Sequence, residues 1–361
     1  VGWHPVFREA SQIRMLRKHR IKSAAEELPM TWHSHDEGHA WALVLAAGEG
    51  SRLRQLTTRH DGIAIPKQFC SLHGHRSLLR HALDRAAAVT TPDRICTVVA
   101  TEHRPWWSVT LQGHPRRNII AQVSNKGTAI GILLPLLSIV RRDPDALLIV
   151  LPSDHYVADE PALTAAMGEA LSHVQRERKR VVLLGIEPDE FDTELGYIVP
   201  REDCSSGIRA VEQFVEKPDA PTAARLLERG ALWNAFIFAA QATTLLDVFR
   251  TTYPAIVEAM ETICGLDPFD AADLPAITAI YESLPSIDFS RSILQTQRDA
   301  LAVLPVAACG WNDLGTPQRV AQALSKLGMD DDEAKESARC SFLELSAQQL
   351  AGLTATQRLP A

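Results

Sequence analysis

Short apolar runs alternate with longer stretches whose apolar residues recur at helical spacing. Residues 42–47 (ALVLAA) have the length and bulk of a fully buried strand. Residues 95–100 (ICTVVA), 118–123 (NIIAQV), 146–151 (ALLIVL), 180–186 (RVVLLGI), 211–215 and 300–306 read as further strands. Helices are predicted over 77–88, over a segment with Ile130, Leu133, Leu134, Leu137 and Val140 on one face, over 162–175, and over 220–229 with Gly230 as its cap. Pro135 is expected to kink the second of these. The pattern stays helical from 241 to 284, with loops near 265–267, and closes with a helix over 316–327. This alternation predicts an α/β fold with a doubly wound, mostly parallel sheet in a single main domain, residues 41–329. Residues 1–40 read as a polar extension with a helix over 9–28 and a linker. Residues 330–361 read as an acidic-led tail with short helices and no hexapeptide repeat or appended isomerase domain.

The first strand runs straight into chemistry. Gly48-Glu49-Gly50-Ser51 is a glycine-rich turn, and Arg52 and Lys67 follow it, the latter from a turn stiffened by Pro66. Glycines let backbone N–H groups approach a phosphate closely, and such nests bind anions. Arg52 adds a forked, permanently charged donor. The turn is not a Walker A loop, because no Gly-Lys-Ser/Thr follows the glycines. It is not a dinucleotide fingerprint either: Leu53 stands where a third glycine belongs, and Cys70 stands near the expected acidic position.

Charged residues also follow later strands. Asp154 comes just after 146–151, where open α/β sheets bind ligands, although an aspartate there is also an ordinary helix N-cap. Glu216-Lys217 ends the 211–215 run, and such a pair alone is commonly a solvated turn. Asp313 lies in Gly310-Trp311-Asn312-Asp313-Leu314-Gly315-Thr316, with an Asx-type turn as its structural alternative.

Taken together, these blocks resemble sugar-phosphate nucleotidyltransferases over roughly residues 41 to 325. LAAGEGSRLRQLT…PKQF is similar to the family signature, and the PKQF ending and Ser286-Ile287-Asp288-Phe289 are most similar to the mannose-1-phosphate guanylyltransferase branch. The resemblance implies a Rossmann-like, glycosyltransferase-A-like fold. It implies transfer of a nucleotidyl group from an NTP to a sugar 1-phosphate, GTP and mannose 1-phosphate being the favoured pair, with release of pyrophosphate. A UTP- or dTTP-dependent enzyme and a non-catalytic NDP-sugar-binding regulator are the alternatives.

Carried over position by position, the resemblance assigns Gly48, Gly50, Ser51 and Arg52 to the triphosphate and Lys67 to the phosphates. Gln122, Gly127 and Thr128 go to the base and ribose, with capping of a helix by Asn125 or Thr128 as the structural alternative. Gly196, Glu216 and Asn234 go to the sugar, and Lys217 to its phosphate. Asp154 and Asp313 go to Mg2+, the one implied cofactor. The departures are Gln55 in place of proline, an insert over 60–65, Leu195 beside Gly196, and Ala235-Phe236 in place of Ser-Gly. Phe236 is expected either to reshape the sugar pocket or to pack inward.

Composition narrows the setting. The 361 residues are 46% hydrophobic and 22% charged, enough for a sizeable core. A formal net charge of −7 argues against nucleic-acid or anionic-membrane partners, and no run reaches transmembrane length. The basic stretch 14–22 leads into no apolar signal core, and the six scattered cysteines (70, 96, 204, 264, 309, 340) read as reduced thiols, so a cytoplasmic setting is expected. His33, His35 and His39 read as linker, not as a metal site. Homo-oligomerisation is left open.

Overall fold

The computed structural model describes residues 38–326 apart from 60, 73–75 and 203–206. The readings for the helix over 9–28, for His33 and His35, and for the tail 330–361 lie outside these residues. So do Cys204 and Cys340. His39 is described, and its ring hydrogen-bonds Asp143 at 2.7 Å.

Nine strands make one sheet in the order β3-β2-β1-β4-β8-β5-β9-β7-β6. They are β1 (Ala40–Ala46), β2 (Ile95–Ala100), β3 (Ile119–Gln122), β4 (Leu147–Pro152), β5 (Val181–Ile186), β6 (Gly196–Pro200), β7 (Arg209–Glu216), β8 (Leu232–Gln241) and β9 (Leu301–Val306). β3, β2, β1 and β4 are mutually parallel, and β5 is parallel to β9. Only β7 and β8 oppose the other seven strands. β6 also pairs with β8, so β8, β5, β9, β7 and β6 form a closed circuit. The doubly wound, mostly parallel expectation therefore holds for the first half. The second half is mixed because β8 is inserted antiparallel between β4 and β5.

The strands predicted from apolar runs include fully buried ones and the partly exposed β3 and β7. β2, β4 and β5 have every residue buried, as parallel strands between helical layers must. β6 and β8 carry motif residues and are not among the predicted strands. Helix Leu78–Ala87 starts at Ser77, whose hydroxyl accepts from Arg80 N, and helix Glu160–Arg176 starts at Asp159 in the same way. Helix Gly127–Arg142 runs unbroken through Pro135. The stretch after β8 resolves into Ala242–Thr252, Pro254–Ile263 and Leu274–Ser283.

The main core lies between helix Gly127–Arg142, these three helices and the sheet. Phe289 is stacked between Phe238 (5.2 Å) and Phe249 (5.8 Å) there, which fixes the segment that follows Ile287. No helix among the described residues is long and apolar enough to cross a membrane.

Candidate active site

The glycine turn leaves β1 exposed to solvent and is held from beneath. Gln68 Nε2 donates to the carbonyls of Ala46 and Gly48, both at 2.9 Å. Gly50 has φ +62°, and a Cβ there would press on the Cβ of Lys67 at 3.0 Å, so the turn and Lys67 pack directly. Ser51 opens the short helical turn Ser51–Leu53, and Arg52 projects from it to an exposed ion pair with Glu194 at 3.0 Å.

Lys67 is 5% exposed, and its ammonium binds three oxygens: Asp154 Oδ2 at 2.9 Å and the carbonyls of Asp313 at 2.7 Å and Leu314 at 3.2 Å. One cation thus joins the turn after β4 to the turn after β9. A pair of backbone hydrogen bonds between Tyr156 and Asn312, both 2.9 Å, zips the same two turns together. Burial is the largest single influence on Asp154 and works to raise its pKa, but the charge of Lys67, the neighbouring His155 and the hydrogen bonds from Lys67 and the backbone together outweigh it and hold the carboxylate below its usual range. Next to it, His155 is pushed down to about 4, chiefly by burial, so the ring is neutral near pH 7 and its Nδ1 accepts from Trp311 Nε1 at 3.2 Å. Asp313 Oδ1 accepts from Gly315 N at 3.1 Å and from Arg319 Nη1 at 3.2 Å.

The sugar side assigned by resemblance gathers around Gly196. A Cβ on Gly196 would collide with the Glu216 carboxylate and press on Asn234 Cβ, so these three residues share one surface. Burial, followed by repulsion from Asp288, lifts Glu216 to about 7, against the opposing pull of Lys217 and Arg291. Lys217 is exposed with φ +49°, and its N–H donates to Leu195 O at 3.2 Å. Asn234 Nδ2 donates to Ser290 Oγ at 3.4 Å, and its Oδ1 accepts from Phe236 N at 3.1 Å.

Phe236 stands at φ +55° where β8 slips register against β5. The family's glycine would suit that backbone, whereas an aromatic residue strains it. The ring is half-buried and packs edge-on against Phe238 and Phe289, so it turns toward the core.

The three base-reading candidates have structural partners. Gln122 is buried beside Gly131. A Cβ on Gly127 would overlap the Ile287 carbonyl, and Thr128 Oγ1 accepts from Phe289 N at 2.8 Å. Asn125 connects this turn to the glycine turn by donating to Glu49 at 3.3 Å. The structure therefore brings together the blocks carried by Arg52, Lys67, Asp154 and Asp313, and separately those of Gly196, Glu216, Lys217 and Asn234. Asn234, Ser290 and the 127–289 contacts link the sugar side to the 122–128 segment. Sequence reasoning missed Gln68, Asp192, Glu194 and Arg319. Gln68 lies inside a recognised motif; the other three have no local pattern that marks them.

Two aspartates are few for a metal site, and among the described residues no three His, Cys, Asp or Glu side chains cluster as ligands. Mg2+ is commonly held by one or two carboxylates and completed by substrate phosphates and water. Lys67 engages one oxygen of Asp154, and Gly315 and Arg319 engage one oxygen of Asp313, so each carboxylate keeps a second oxygen outside these contacts. The donor set fits a substrate-completed Mg2+ site.

The glycine turn after β1 packs on Lys67, which binds the Asp154 carboxylate beyond β4 and the main chain of the Asp313 turn, and the chain that builds this arrangement belongs to the nucleotidyl transferase family, whose model matches residues 41–329. It is 33% identical over 295 residues to mannose-1-phosphate guanylyltransferase of Escherichia coli (strain K12), covering 76% of this chain and 58% of that one. It is 34% identical over 277 residues to the xanthan biosynthesis protein XanB of Xanthomonas campestris pv. campestris (strain B100), covering 76% and 57%. The chain thus spans a little over half the length of these curated relatives. Among solved structures it resembles mannose-1-phosphate geranyltransferase from Thermus thermophilus, with a TM-score of 0.68, 27% identity, and coverage of 80% of this chain and 79% of that one.

Proposed function

We propose that the protein transfers a nucleotidyl group from GTP to mannose 1-phosphate, giving GDP-mannose and pyrophosphate. The observation that carries the reading is the Lys67 ammonium, which draws Asp154 and the Asp313 turn to one point beside the glycine turn. The similarity to a named mannose-1-phosphate guanylyltransferase supports the choice of substrates.

In this reading a phosphate oxygen of the sugar 1-phosphate attacks the α-phosphorus in line, and pyrophosphate leaves. The nucleophile is already ionised near pH 7, so no general base is needed. The task is to align two polyanions and offset charge in the transition state. The amides of residues 48–51 and Arg52 hold the triphosphate; the exposed Arg52–Glu194 pair contributes little stability and exchanges readily for phosphate. Lys67 keeps Asp154 and the Asp313 turn in register. Asp154 and Asp313 would hold Mg2+, which when bound would neutralise and polarise the phosphates. Lys217 presents its ammonium to the sugar phosphate as a point charge. Glu216 and Asn234 meet sugar hydroxyls over the bare backbone of Gly196.

The test is pyrophosphate release with Mg2+, crossing GTP, UTP, dTTP, ATP and CTP with mannose-, glucose- and N-acetylglucosamine-1-phosphate. Turnover favouring GTP with mannose 1-phosphate is expected. Another preferred pair would retain the mechanism and reassign the substrates. Tight NDP-sugar binding without turnover would replace the enzyme with a regulator.

A further inference from the structure

We propose that Arg319 is a positioning residue for this reaction: it fixes the Asp313 carboxylate and, through Asp192, sets the acidic turn that meets Arg52. The inference rests on the function proposed above.

Arg319 is 5% exposed and lies in the first turn of helix Pro317–Ser325. Its backbone is pinned twice, with its N–H donating to Thr316 Oγ1 at 3.3 Å and its carbonyl accepting from Asn312 Nδ2 at 3.3 Å. The guanidinium then forks. Nη1 donates to Asp313 Oδ1 at 3.2 Å, while Nε donates to Asp192 Oδ2 at 2.8 Å and Nη2 lies 2.7 Å from the same oxygen. Glu190 is a more distant third carboxylate at 3.7 Å. The guanidinium carbon sits 5.1 Å from the centre of the Trp233 ring, one residue before Asn234.

Asp192 passes the constraint onward. Its Oδ1 accepts from Glu194 N at 2.6 Å, and its main-chain carbonyl accepts from the Tyr197 hydroxyl at 2.6 Å. Glu194 then meets Arg52. Arg319, Asp192 and Glu194 therefore form a continuous chain between a candidate metal carboxylate and the candidate triphosphate arginine. A buried ion pair is weak evidence for stability, because apolar residues of similar volume commonly serve as well. What a rigid five-donor fork supplies is fixed direction to two carboxylates at once, which a lysine's single point charge does not reproduce.

The experiment compares wild type, Arg319→Lys and Asp192→Asn in thermal unfolding, Mn2+ binding by electron paramagnetic resonance, and steady-state kinetics. Arg319→Lys is expected to stay folded while Mn2+ affinity and kcat each fall by about 10–100-fold, the range for groups that orient metal ligands. The KM for sugar 1-phosphate should hold, and excess Mg2+ should recover part of kcat. Asp192→Asn is expected to raise the KM for the nucleotide more than it lowers kcat, and it carries the test if Arg319→Lys fails to fold. A folded Arg319→Lys with wild-type Mn2+ binding and kcat overturns the positioning role. An inactive wild type whose Mn2+ binding still depends on Arg319 leaves that role standing and overturns the proposed reaction instead.

Discussion

The two sides of the candidate site are built differently. Around Lys67 nearly every charge is answered: the ammonium has three oxygen partners, Asp154 has Lys67, and Asp313 has Arg319 and a backbone amide. Around Gly196 the groups are less tied. Among the described residues the Lys217 ammonium makes no ion pair or hydrogen bond, Glu216 is lifted toward neutrality, and Phe236 holds a backbone conformation unsuited to its side chain. The first side is fixed before substrate arrives, as charge stabilisation requires. The second leaves polar groups open, which the proposed function assigns to a sugar 1-phosphate.

Breaking the tied side should cost most. Lys67→Met is expected to lower pyrophosphate release by about 10²–10³-fold, the scale for removing a preorganised donor. Because Asp154 is one-third exposed, the loss in urea-measured stability should stay at or below about 3 kcal/mol, the lower end for a broken buried pair. Lys217→Met should leave stability nearly unchanged and raise the KM for sugar 1-phosphate by about 10–100-fold, the worth of one charge-assisted hydrogen bond. An unchanged KM would remove Lys217 from the phosphate site.

Glu216 sharpens the contrast through pH. Its folded-state pKa of about 7 lies above the ordinary 4.5, so the folded protein keeps a proton that the unfolded chain releases. Its stabilising contribution is full below 4.5 and is lost as pH rises toward and through 7. Glu216→Gln should flatten that decline in melting temperature between about pH 5 and 8, and an identical slope would show that the group is not buried as a neutral acid. The smallest effect is expected at Phe236→Gly. Relief of about 1 kcal/mol of backbone strain should offset most of the lost ring contacts, leaving a net change within about 1 kcal/mol by chemical denaturation.

The same contrast explains what was legible in the sequence. β2, β4 and β5 are continuous apolar runs because both faces are buried, so their length and bulk mark them. β8 has no such simplicity: it carries Asn234 and a bulge at Phe236, and its direction depends on which strands it lies between. Asp154 stands out because strand ends are ligand positions in this architecture, and Asp313 because its Gly310–Thr316 block resembles a family motif. Lys217, Phe236 and Leu314, the three non-glycine residues with positive φ among those described, all fall in motif blocks, yet no residue type announces that conformation. Arg319 was hidden for another reason. Its partners are 6 and 127 positions away and meet only after β9 and the 187–194 turn are in place.

The central claim is that the Asp154 carboxylate and the Asp313 turn, both held by Lys67, are the reacting centre. The most direct measurement is pyrophosphate release from GTP and mannose 1-phosphate at saturating Mg2+ by folded Asp313→Asn, compared with wild type. The account predicts a fall in kcat of at least about 10²-fold with an unchanged fold. A variant that turns over within about threefold of wild type would contradict it, because the turn that Lys67 holds would then have no part in the chemistry.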